Sequence, residues 1–245
     1  MLILRHVGWR PLALVIALAG VTNPVSAQTT GPAQDVGDSI RDRFVAAVEA
    51  CGTALSSTPG VVVDTSSSID IHYSPDDRSI HLGRWADLDT DSRGVIEAWA
   101  SKGTMGLSPE QMFSETFNSI MAPHELGHFL QDISGRSASL GMWDGELEAN
   151  RIAVAFWAMQ PGADGRVVER VGNITPLMDD VPDPVPAEED PKAFFETHYD
   201  AFMRGEDGPL NPVTYSWFQA RLLTTALEEP EAYPFCDLVQ INQPL

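Results

Sequence analysis

The stretch His124-Glu125-Leu126-Gly127-His128 limits what this chain can become more than any other. On a helix, residues four apart sit one turn apart and about 40° round the axis, so both imidazoles project from one side. Two neutral imidazoles on one face can close on a single Zn²⁺. Glu125 then lies beside the ion, placed to take a proton from a water that zinc has acidified. A shuffled chain of this composition shows H-E-x-x-H in roughly one of a hundred trials, so the surroundings must carry the argument. A catalytic zinc needs a third protein ligand and one open position.

Glu146-Leu147-Glu148-Ala149-Asn150 offers that ligand at the start of a second helix. Its continuation, Ile152 to Met159, is apolar throughout, which predicts burial on most sides. Glu146 and Asn150 are four apart and share a face, so Glu146 can complete a His₂Glu set while Asn150 accepts a hydrogen bond from a ligand imidazole. Glu148 competes as the ligand from a different face. Ala149 lets two helices approach closely. A plainer reading makes these first-turn glutamates partners of the helix dipole alone; a buried helix beyond Arg151 argues against it.

H-E-L-G-H followed by E-x-x-A-N and an apolar run resembles the gluzincin-type zinc metallopeptidases, among them the ImmA/IrrE-like and HtpX-like groups. The resemblance covers about 124–161. It implies a zincin-like active-site helix pair with a small β-hairpin or sheet. It also implies one Zn²⁺ held by His124, His128 and Glu146, with Glu125 as the catalytic base, Asn150 behind the ligands, and a peptide or protein substrate. Many relatives carry Asp where this chain has Asn150. Unlike the HtpX-like group the chain shows no transmembrane helices, and unlike many ImmA/IrrE-like proteins it has no evident DNA-binding segment. In such peptidases an edge strand before the H-E-x-x-H helix often binds substrate as an added strand, and residues 69–82 are the candidate here. His198 and Tyr199 are candidates for stabilising an oxyanion, against the plainer reading of a helical His and a packed Tyr. His72 and His81 read as surface strand residues rather than ligands.

The N-terminus reads as a signal peptide, residues 1–27. Arg5 and Arg10 precede the apolar run Leu12 to Val21, and Val25-Ser26-Ala27 has the small-residue pattern of a cleavage site. The run of about ten residues is too short to anchor the chain in a bilayer. Residues 28–245 are then expected as a single secreted or periplasmic domain. Acidic residues outnumber basic ones 35 to 15, for a net charge of −20. Nucleic acid and anionic membranes would be repelled by it. Cys51 and Cys236, near opposite ends, are expected to form a disulfide in an oxidising compartment. Oligomeric state is not legible.

The rest predicts an α+β, mostly helical fold. Residues 28–37 read as a loose lead-in, followed by a helix over 40–50 that Asp38 or Ser39 could cap. Val61–Val63 reads as a strand, and 69–82 as a hairpin turning at Ser74-Pro75-Asp76-Asp77. An irregular stretch runs to Leu107. Ser108-Pro109-Glu110-Gln111 is a helix start, and Pro123 either kinks that helix or begins another. Gly135 is a stop, Asp144 a cap for a helix to Gln160, and 179–191 an exposed loop. Two helices follow near 191–204 and 212–228. Two rivals remain beside an exported zinc peptidase. One is a catalytically inactive zinc-binding protein of the same fold; the other is an exported interaction domain with no metal. A deformylase is disfavoured, because that chemistry uses an upstream Cys ligand and Cys51 lacks the local motif.

Overall fold

The computed structural model describes residues 32–103, 106–162, 166–172, 174–175, 181–204, 212–228 and 233–240. The expected signal peptide lies outside them. In chain order the elements are α1 (Pro32–Ala50), β1 (Gly60–Val63), β2 (His72–Ser74), β3 (Ser79–Leu82), α2 (Thr90–Lys102), α3 (Pro109–Phe113), α4 (Ala122–Ile133), α5 (Met142–Ala158), α6 (Val167–Gly172), α7 (Pro191–Arg204), α8 (Pro212–Glu228) and α9 (Phe235–Leu238). The fold is mostly helical with one small sheet, as expected. Among the described residues no helix is long and apolar enough to cross a membrane.

The expected hairpin forms between β2 and β3, with His72 opposite His81 and Tyr73 opposite Ile80. β1 adds parallel to β3 on its other side, giving the order β1-β3-β2 and leaving β2 at an edge. Ile80 and Leu82 are fully buried on the inner face. Alternation along β3 therefore turns His81 to the outer face.

α1 begins earlier than the sequence predicts. Residues 32–37 are helical because the sheet receives them: a Cβ at Gly37 would fall 2.5 Å from Leu82 Cδ1, and Gln34 Nε2 donates to the Val61 carbonyl at 3.2 Å. Asp38 is therefore inside the helix, paired with Arg41 at 2.6 Å, and caps nothing. Ile40, Phe44 and Val48 form the predicted buried stripe. A second difference is α2, in the stretch expected to be irregular. Asp89 caps it by accepting from the Ser92 amide at 2.7 Å, and buried Ile96 packs with Met112 and Phe113 in a separate small cluster. That helix is polar at most positions, so periodicity is a weak signal for it.

The helix start at Ser108 is a full capping box with Gln111. The chain then passes through a π-helical stretch, Ser114–Ile120, before α4 opens with Pro123 in its first turn. A proline there costs no hydrogen bond, because the first amides of a helix have no intrahelical partner. The Ile120 carbonyl at the end of the π stretch accepts from the buried Trp157 indole at 3.2 Å, which ties α5 beneath it. Gly135 takes the left-handed conformation, φ 73°, as α4 ends. α5 is the central buried helix but starts at Met142, with Gly141 as its cap. Asp144, the expected cap, lies in the first turn and binds Lys192 of α7 at 2.7 Å.

α4 and α5 meet at Gly127. A Cβ there would lie 3.1 Å from the Ala149 Cα and 3.3 Å from its Cβ, in the backbone of a helix that has no room to retreat. Gly127→Val should therefore lower unfolding stability by about 2 kcal/mol, the cost of overpacking a dense core. A urea titration reads this directly; an unchanged midpoint would show that the two helices separate freely.

The expected Cys51–Cys236 disulfide is present, joining the end of α1 to α9 with Cα atoms 5.1 Å apart.

Candidate metal centre

α4 delivers His124 and His128 to one side, and the close approach at Gly127 sets the first turn of α5 against them. His124 Nε2 lies 3.1 Å from His128 Nε2 and 3.2 Å from Glu146 Oε2, and His128 Nε2 lies 3.5 Å from the same oxygen. Four-coordinate zinc with nitrogen and oxygen ligands near 2.0–2.1 Å spaces neighbouring donors by about 3.3 Å. The three atoms form a triangle of that size, so His124, His128 and Glu146 are a group that could hold a metal ion.

The groups behind the donors settle which atoms face inward. Gln131 Nε2 donates to the Gly145 carbonyl at 2.8 Å, so its Oε1 is the acceptor that meets His128 Nδ1 at 2.9 Å. Asn150 Nδ2 likewise donates to the Glu146 carbonyl at 3.0 Å, leaving Oδ1 to accept from His124 Nδ1 at 3.2 Å. Each ring thus donates from Nδ1, and with a metal bound Nε2 would turn its lone pair toward the shared point. Glu146 is clamped from two other helices. Its Oε1 accepts from the hydroxyls of Tyr199 on α7 and Tyr215 on α8, each at 3.1 Å, and its Oε2 accepts from Gln219 Nε2 at 2.7 Å.

His124, Glu125, Glu146 and Asn150 are all buried, while the His128 side chain is 23% exposed. Glu125 is not in the triangle. Its Oε1 stands 4.0 Å from His124 Nε2, and its Oε2 accepts from the Tyr73 amide of β2 at 2.9 Å. The free edge of the sheet therefore points at the same place as the donors.

Burial raises the Glu125 carboxyl above its ordinary value, against the opposing pull of His124 and His128. Burial also acts to raise Glu146, but the His128 charge and the hydrogen bonds from both histidines hold it well below the usual carboxylate range. For His128, burial acts downward and is outweighed by Glu146, leaving it at about 9 in the metal-free chain. Burial, reinforced by the Glu146 carboxylate, pushes both tyrosines up, so they remain hydroxyl donors. Two buried carboxylates and two imidazoles form a set whose charge a divalent cation would balance.

The chain matches no family model, no curated protein and no solved structure.

The other sequence candidates fall in different places. Glu148 binds Arg136 at 3.0 Å and accepts from Gln131 Nε2 at 3.3 Å, and is not one of the three converging donors. Tyr199 reaches Glu146, whereas His198 packs its ring on Phe194, centroids 4.5 Å apart, and is not among the converging residues. His72 and His81 stand on the sheet with Asp64 in a second, half-buried group able to hold a cation, where surface residues alone were expected. Sequence reasoning missed Gln131, Tyr215 and Gln219. Gln131 was within reach as the residue one turn beyond His128; Tyr215 and Gln219 lie 69 and 73 residues from Glu146, and no local pattern announces them.

Gln219 donates to Glu146 and accepts from Asn150, so it braces both the acid and the residue behind His124. Gln219→Leu keeps the volume and removes both bonds. Zinc affinity should fall about 10–100-fold, the usual cost of losing such support; competition with a chromophoric chelator measures it.

Proposed function

We propose that this protein is an exported zinc-dependent peptidase of the gluzincin type, with a zincin-like helix pair, α4 and α5, as its active-site core. The observation that carries the reading is the donor triangle of His124, His128 and Glu146 with Glu125 and the edge strand β2 beside it. Two imidazoles and one carboxylate are the donor set of a catalytic Zn²⁺ site. Zn²⁺ held there supplies Lewis-acid activation of a water and polarisation of a carbonyl oxygen.

The chain's own residues supply the rest. Glu125 takes a proton from the attacking water as the new C–O bond forms. It passes that proton to the leaving nitrogen as the peptide C–N bond breaks, and carries the second water proton to the same nitrogen, so a carboxylate and an ammonium result. Burial and the Tyr73 amide hold Glu125 in one place, which favours a proton carrier that must act twice. A peptide added along the free edge of β2 would have its backbone fixed by main-chain hydrogen bonds, with little demand on side-chain identity. Tyr199, Tyr215 and Gln219 keep Glu146 aimed. Export through residues 1–27 belongs to the same proposal and accords with the Cys51–Cys236 bridge.

The test is metal content and hydrolysis of a quenched-fluorescent peptide pool by residues 28–245, prepared without a polyhistidine tag. Zinc should be bound at the buried triangle, lost in His128→Ala and Glu146→Gln, and kept in Glu148→Gln. A chain that takes up no zinc at this triangle after reconstitution would end the peptidase reading.

A further inference from the structure

We propose that the outer face of the sheet is a second divalent-cation site, of a transition metal that prefers imidazole, with His72, His81 and Asp64 as ligands and Asp77 beside them. It goes beyond the peptidase reading and stands on other residues. His72 and His81 are register partners across β2 and β3, and their rings stack 4.7 Å apart and within 7° of parallel. Asp64, directly after β1, meets His81 Nδ1 at 2.8 Å. Asp77, in the turn between β2 and β3, meets His81 Nε2 at 3.2 Å. One ligand atom from each of Asp64, His72 and His81 lies within 4.8 Å of the others.

Three features favour a cation over a set of ion pairs. Asp70 lies 3.3 Å from His72 Nδ1 and carboxylates meet both nitrogens of His81, so three acids crowd two stacked rings that could each offer one ion a lone pair. The carboxylates at the rim match the charge of a divalent ion. The ligands also come from β2, from β3 and from the residue just after β1, so an ion there ties together a sheet of only three or four residues per strand. The same sheet presents the Tyr73 amide to Glu125 from its edge, one residue from His72.

The donors are more exposed than in the buried triangle, with side chains 16% exposed for His81, 38% for Asp64 and 45% for His72. They can rotate to close on an ion, at a cost in affinity. This ordering makes the two sites separable.

Titration of metal-free residues 28–245 with Zn²⁺, followed by calorimetry and by metal analysis after gel filtration, decides the matter. Wild type should bind two equivalents, the second at least tenfold more weakly. His72→Gln and Asp64→Asn, both at half-exposed positions away from the core, should remove the weaker equivalent and leave the tighter one; circular dichroism checks that they fold. His128→Ala should do the reverse. A single equivalent that His128→Ala abolishes and His72→Gln leaves intact would overturn this inference while sparing the peptidase reading. A single equivalent kept in His128→Ala but lost in both sheet variants would support this site and defeat the buried one.

Discussion

Glu125→Gln should keep zinc in the buried triangle and lose peptide hydrolysis by about 10²–10⁴-fold in kcat/KM, the range for removing a positioned general base. Gln has the same shape and can still accept from the Tyr73 amide through its oxygen, so the local packing survives. It cannot take a proton from water. Glu125 also stands outside the donor triangle, 4.0 Å from the nearest ligand nitrogen, which is why metal content and activity should separate. Zinc analysis beside the peptide assay reads both. Equal activity in Glu125→Gln would mean that another group moves the proton. A zinc-loaded wild type with no turnover on any peptide pool would instead favour the rival reading, a zinc-binding protein without catalysis.

The second large effect is on stability. Cys51→Ala with Cys236→Ala should cost about 4 kcal/mol and lower the melting temperature by about 10 °C. The bridge spans a sequence separation of 185 residues, and the entropy it removes from the unfolded chain grows with the length of the loop it closes. It also holds α9 in place, where Phe235 packs against Phe44 and Phe156 with ring centroids 5.7 and 6.1 Å away. Phe156 is ten residues beyond Glu146 on α5, about 15 Å along the helix, so zinc binding at low temperature should be little changed. Thermal melts with and without reductant measure the effect. Coincident melting curves would mean that the folded packing of α9 suffices without the covalent tie.

Much of the local structure is legible in residue order because its causes are local. A histidine pair four apart is on one helical face whatever else the chain does. Ser108 with Gln111 caps a helix from its own side chains, and Gly135 permits the left-handed turn after α4. The stretch Ile152 to Trp157 is buried because nothing in it is polar.

Where the causes are distant, residue order is silent. α1 starts at Pro32 rather than Ile40 because the sheet accepts Gly37 at close range. α2 forms on a weak pattern because Ile96 finds Met112 and Phe113. Tyr199 and Tyr215 become partners of Glu146 only when α7 and α8 fold back over α5, and His72 meets His81 only in the register of β2 on β3. By itself the sequence determined the types of donor and their spacing on each helix, since 3.6 residues per turn is a property of the backbone. Tertiary structure alone decided that Nε2, Nε2 and Oε2 stand 3.1–3.5 Å apart, that Glu148 pairs with Arg136, and that β2 meets Glu125. The distance between two helices depends on which side chains pack between them, and at Gly127 and Ala149 almost nothing does.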